Sequence, residues 1–158
     1  KGYYIADLIT EVLGGGASSR LYQQLVKEQR LFASIDCYHF GTIEKGLVAV
    51  DGKLAEGVAI ETAEAAVQAV LQQVQEAVIS EQELQKVKNK TESVIAFEDM
   101  NVMSRANSLA FYELLGDAQL MNNELQRYQE ITAADIRSYS QQLFAQTNSN
   151  VLHYLRKK

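Results

Sequence analysis

The chain has 158 residues, 47% of them hydrophobic and 22% charged, with a net charge of −5 and a pI of about 5.1. These proportions fit a globular chain with a real hydrophobic core and exclude a disordered one. The acidic balance argues against a nucleic-acid surface, which needs clustered Lys and Arg to displace counterions from phosphates, and no apolar run is long enough to span a bilayer.

In chain order, Ile5, Leu8, Ile9 and Val12 form one apolar stripe at helical spacing. That helix is expected to stop at Gly14-Gly15-Gly16, with Ser18 or Ser19 capping a second one that turns Leu21, Tyr22 and Leu25 to the core. Phe32 to Phe40 reads as a strand, Gly41 to Lys45 as a turn, and Leu47 to Val50 as the antiparallel return strand. Ile60, Ala63, Val67, Val70, Leu71, Val74 and Val78 keep helical period over the long middle. Ser80-Glu81-Gln82-Glu83 reads as a capping box that starts a new helix before Leu84, whose stripe continues through Val87, Thr91, Val94 and Ile95. A break is expected near Asp99 to Asn101. The next helix carries Val102, Ala106, Leu109 and Ala110 and stops near Gly116. A short helix over Leu120 to Tyr128 follows, then one capped by Thr132 with Ile136, Tyr139 and Leu143 on one face. Val151 to Leu155 reads as a terminal strand, and Arg156-Lys157-Lys158 as a basic tail.

Strands and helices are segregated, which predicts an α+β fold with an antiparallel or mixed sheet. No proline or low-complexity stretch divides the chain, so residues 1–158 are read as a single domain. Lys1-Gly2-Tyr3-Tyr4 leads straight into helix-patterned sequence, with neither initiator Met nor signal-peptide core. That start is read as an excised fragment.

The residues that carry chemistry elsewhere are sparse. His39 and His153 stand outside His-x-x-Glu-His or His-Glu-x-x-His spacing and are read as packed or surface histidines rather than metal ligands. Cys37, the only cysteine, is read as a buried structural thiol. One thiol allows no internal disulfide, which weakly favours a reducing compartment, although a periplasmic protein can also lack disulfides, so the setting is read as cytoplasmic or periplasmic. Gly14 to Arg20 invites a phosphate-loop reading, but the glycines follow a helix rather than a strand and no Gly-Lys-Ser/Thr is present, so a helix-to-helix corner is expected. Glu81, Glu83, Glu92, Glu98 and Asp99 read as a solvated helix face, with Lys86, Lys88 and Lys90 pairing along the surface. No catalytic residue is assigned.

Four segments in order do resemble a family. Leu13 to Glu28 with its Leu13-Gly14-Gly15-Gly16-Ala17-Ser18-Ser19-Arg20-Leu21-Tyr22, Ile79 to Asn89 with its Ile79-Ser80-Glu81-Gln82-Glu83-Leu84, Leu109 to Asp117 with its closing Gly116-Asp117, and Tyr128 to Ile136 with its Ile131-Thr132-Ala133-Ala134-Asp135-Ile136 are similar to segments of the insulinase/pitrilysin metallopeptidases, the group that includes mitochondrial processing peptidase. The match is to the second, non-zinc-binding domain of such a subunit, lacking its opening strand. The resemblance implies helices laid on one face of the sheet and one half of a closed peptidase chamber. It implies that Gly14, Gly15 and Gly16 touch peptide substrate, with no cofactor held by this chain and zinc in a His-x-x-Glu-His first domain of the same parent.

Many members carry an Arg on the second helix and a Tyr seven residues later. Val26 and Ala33 stand at those positions here, which implies a separate family subunit as the bearer of that pair. Two other classes stay open: an assembly protein of the family that has lost proteolysis, and a generic α+β interaction module.

Overall fold

The computed structural model describes residues 1–155, apart from the side chain of Asp99. Helix α1 (Gly2–Gly14) is the hub of the fold. It touches strands β1 (Phe32–Phe40) and β2 (Leu47–Leu54) on one side. On its other sides lie α3 (Glu81–Asp99), α5 (Glu124–Gln129) and α6 (Ala133–Leu143). Helix α2 (Ile60–Glu76) packs on α6. A hub helix needs more than one apolar stripe, and α1 buries Tyr4, Ile5, Ala6, Leu8, Ile9, Thr10, Val12 and Leu13. Only Gly2, Tyr3, Asp7, Glu11 and Gly14 keep appreciable access to solvent along its length.

The strands pair antiparallel, with Ile35 opposite Gly52, Cys37 opposite Val50 and His39 opposite Val48. Phe32 and Ile35 both face the core although they are three residues apart, an odd spacing that regular alternation forbids. The register shift between Phe32 and Ser34 resolves this: Ala33 sits in the irregularity, and the extra residue turns both side chains inward. Among the described residues the sheet has these two strands. Residues 151–155, expected as a third, pair with neither and are exposed; His153 Nε2 among them lies 3.1 Å from Glu64 Oε2 on α2. The expected basic tail at 156–158 lies outside the described residues, as does the side chain of Asp99.

Two helix starts share one physical design. Ser80 caps α3 by accepting from the Glu83 N–H, and Thr132 caps α6 by accepting from the Asp135 N–H. The residues flanking each start, Ile79 with Leu84 and Ile131 with Ile136, are all buried, as in a hydrophobic staple. The starts differ in one respect. Asp135 closes its box, accepting from the Thr132 N–H and hydroxyl. Glu83 does not close the expected box at Ser80, because its carboxylate is engaged by Arg20 instead.

Other sequence expectations shift. Val78 lies beyond the end of α2 and is exposed, and Val94 is half-exposed. Helix α4 (Val102–Leu114) starts where expected, capped by Asn101, yet Val102, Ala106, Leu109 and Ala110 face solvent and Tyr112 is its buried residue. The short helix expected over Leu120 to Tyr128 is a 3₁₀ segment (Ala118–Asn123) followed by α5. No helix among the described residues is long and apolar enough to cross a membrane.

Candidate functional site

The glycines join α1 to a π-helical segment (Tyr22–Glu28), and each has a different neighbourhood. A methyl group on Gly14 would sit 2.2 Å from the backbone nitrogen of Cys37 on β1, so only glycine lets helix and strand approach this closely. A methyl on Gly15 would meet the Glu11 carbonyl at 2.4 Å. Gly16 has φ +98° with open space around it. It is the exposed one of the three and begins an exposed rim continued by Ala17 and Ser18.

The corner's own groups are largely spent internally. The N–H groups of Gly15, Gly16 and Ser19 donate to the carbonyls of Glu11, Gly14 and Gly16. The Gln23 amide donates to the Ala17 carbonyl. This is a folded corner with satisfied donors rather than an anion cradle. The expected serine cap is absent: Ser18 Oγ accepts from Lys86, and Ser19 Oγ is buried without a hydrogen-bond partner. The second helix instead opens into π-type turns that end at Arg30, a non-glycine residue with φ +54°.

Three charged residues on one face of α3 hold the corner. Glu83 takes Arg20 in a two-pronged pair at 2.9 and 2.7 Å. Lys86 donates to the Ser18 carbonyl at 3.2 Å, and Lys90 to the Gly15 carbonyl at 3.0 Å and to Glu11 Oε2 at 2.5 Å. Positions 83, 86 and 90 share a helical face, and that spacing was the available signal. The expectation of surface pairing is corrected for Lys88. It lies on the buried stripe with Leu84, Val87 and Thr91 and donates to the Gln129 carbonyl at 2.8 Å, and burial lowers its pKa.

Of the other candidates, Cys37 and His39 share strand β1, two residues apart, and His153 stands elsewhere. His39 is packed beneath Tyr3, with ring centroids 4.9 Å apart, and its Nδ1 lies 3.7 Å from Asp7 Oδ1. His153 is on the surface beside Glu64. Cys37 lies under Gly14, and burial pushes its thiol up to about 12. No group of three metal-ligating side chains forms among the described residues. Val26 packs partly buried against the core from the π-helical segment, while Ala33 is exposed at the β1 irregularity.

A family model described as the peptidase M16 inactive domain matches residues 1–91. No curated protein matches the chain. Among solved structures, a protein from Bordetella pertussis Tohama I, provisionally described as a zinc protease, superimposes with a TM-score of 0.86 at 20% identity, over 99% of this chain and 86% of that one. The inactive peptidase domain of a similarly described protein from Bordetella parapertussis gives 0.83 at 19% identity, over 93% of this chain and 80% of that one. A protease from Helicobacter pylori gives 0.80 at 20% identity; 90% of this chain matches, but it spans only 34% of that longer one. Identities this low establish a common fold.

Proposed function

The chain belongs to the peptidase M16 inactive-domain family, and from that premise we propose that it serves as the non-catalytic half of a zinc-dependent endopeptidase. The observation that carries this reading is the match of residues 1–91 to the family's inactive domain. The zinc and its His-x-x-Glu-His ligands belong, on this reading, to a first domain of the same parent polypeptide.

The domain's own contribution is a wall and a contact. Gly16 and the rim behind it offer backbone to an extended peptide, while Gly14 and Gly15 hold the rim against β1 and α1. Val26 has no donor for a developing oxyanion and Ala33 has no hydroxyl, so a partner subunit supplies the Arg/Tyr pair. The exposed apolar residues Phe97, Met100, Val102 and Met103 at the α3–α4 junction suit burial against another domain of such an assembly.

The test is kinetic. In the peptidase assembled with its zinc-bearing domain, Gly16→Val raises KM several-fold and leaves kcat unchanged, the pattern of lost uniform binding. An unchanged KM removes the substrate contact from this corner.

A further inference from the structure

Helix α4 turns the opposite side inward from an ordinary surface helix. Its inward face is Ser104, Ser108 and Tyr112, four residues apart; the serines are half-buried and Tyr112 is buried. Its outward face is the stripe Val102, Ala106 and Leu109, flanked by Met103, Ala110 and Leu114. Val102 is 81% and Leu114 73% exposed. A surface helix buries its apolar stripe, and here that stripe points away from the rest of the chain.

The size of this face sets what can cover it. At about 150–200 Å² for a large apolar residue, Val102, Met103, Leu109 and Leu114 with the two alanines expose roughly 500 Å². Two such faces together bury about 1,000 Å², the lower bound for a specific interface.

The charges choose the occupant. Arg105 and Glu113 flank Leu109 symmetrically, four residues on either side, and both are exposed. They stand roughly 12 Å apart along the helix axis, too far to pair with each other. Among the described residues neither forms an ion pair. Glu113 also lies in the last turn of α4, where the helix dipole disfavours a carboxylate. A second α4 laid antiparallel, with the two-fold axis at Leu109, brings each Arg105 opposite the other copy's Glu113. One axis then satisfies both charges twice, the reciprocal pattern of an isologous interface. Ala106 and Ala110 let the two helix axes approach closely.

We propose that α4 is a self-association surface, on which a second copy of this chain packs its own α4 antiparallel. The apolar stripes meet at Leu109, and two Arg105–Glu113 pairs set the register. The small area makes a dimer with a Kd in the micromolar range. The proposal names the domain that covers Val102 and Met103, yet it needs neither zinc nor catalysis, so it stands or falls apart from the peptidase reading.

The experiment is sedimentation equilibrium of the 158-residue chain from low micromolar to near-millimolar concentration. The chain passes from monomer to dimer over that range. Leu109→Asp, which sets two carboxylates on the axis, leaves a monomer; Leu109 is exposed, and circular dichroism confirms an unchanged fold. Arg105→Glu and Glu113→Arg each weaken the dimer about tenfold, since each replaces two attractive pairs by two repulsive ones. The double variant Arg105→Glu with Glu113→Arg recovers the wild-type Kd, because the swapped charges pair again across the axis. A chain that stays monomeric near millimolar concentration overturns the proposal and leaves this face to a different domain. A dimer indifferent to Leu109→Asp, or a double variant as weak as the single ones, overturns it as well.

Discussion

Replacing Gly14 by alanine tests the closest approach in the fold. The new Cβ would lie 2.2 Å from the Cys37 backbone nitrogen and 2.6 Å from its Cβ. A backbone atom cannot rotate away, so α1 and β1 must separate, and they meet at the centre of the core. Overpacking of this kind costs about 3 kcal/mol or more, while alanine returns about 1 kcal/mol through helix propensity. The expected net loss is about 2–3 kcal/mol, or a Tm drop of roughly 5–10 °C for a chain of this size. Urea unfolding followed by circular dichroism measures it. Gly16→Ala is the control: its Cβ meets nothing, and only the left-handed backbone is strained, at about 1–2 kcal/mol. Cys37→Ala does not rescue Gly14→Ala, because both close contacts remain. A Gly14→Ala chain within about 0.5 kcal/mol of wild type, a shift typical of an innocuous surface substitution, would refute the reasoning.

The Arg20–Glu83 pair ties the glycine corner to α3, so Glu83→Gln should destabilise by about 1–2 kcal/mol, the scale of a charge-assisted hydrogen bond, in the same urea assay. Asp135 is held at about 2, below the ordinary carboxylate value, by its bonds to Lys1 and Thr132. Its folded pKa is depressed, so the stability it contributes is complete above the unfolded value near 4 and lost as pH falls toward 2. Asp135→Asn should remove that acid-side slope and cost about 1 kcal/mol at neutral pH, the size of a helix cap. The raised thiol of Cys37 should resist alkylation at pH 8 in the native chain and react promptly in denaturant; equal rates in both states would place the thiol outside the core.

The local fold was legible wherever one physical signal fixed it. Phe32–Phe40 is a strand because its aromatic and β-branched residues leave little choice, and Ile79-Ser80 and Ile131-Thr132 start helices because cap and staple lie within six residues of sequence. What failed was tertiary. The partner of the Glu83 carboxylate is Arg20, 63 residues earlier, and no local pattern reveals that. Residues 151–155 have strand composition, but a strand needs an edge to pair with, and composition does not supply one. The apolar residues of α4 have helical spacing without burial, since spacing tells which residues share a face and not whether anything covers it. At the site, the glycines were visible as a motif, whereas the separate demands on Gly14, Gly15 and Gly16 required the positions of Cys37 and Glu11.

The most direct test of the domain's role is metal content and proteolysis measured together on the purified chain. After dialysis against micromolar zinc, elemental analysis should find far less than one zinc per chain, and a quenched fluorescent peptide library should remain uncleaved. Stoichiometric zinc lost on mutation of His39, His153 or Cys37, accompanied by chelator-sensitive cleavage, would contradict a non-catalytic half that depends on a zinc-bearing partner.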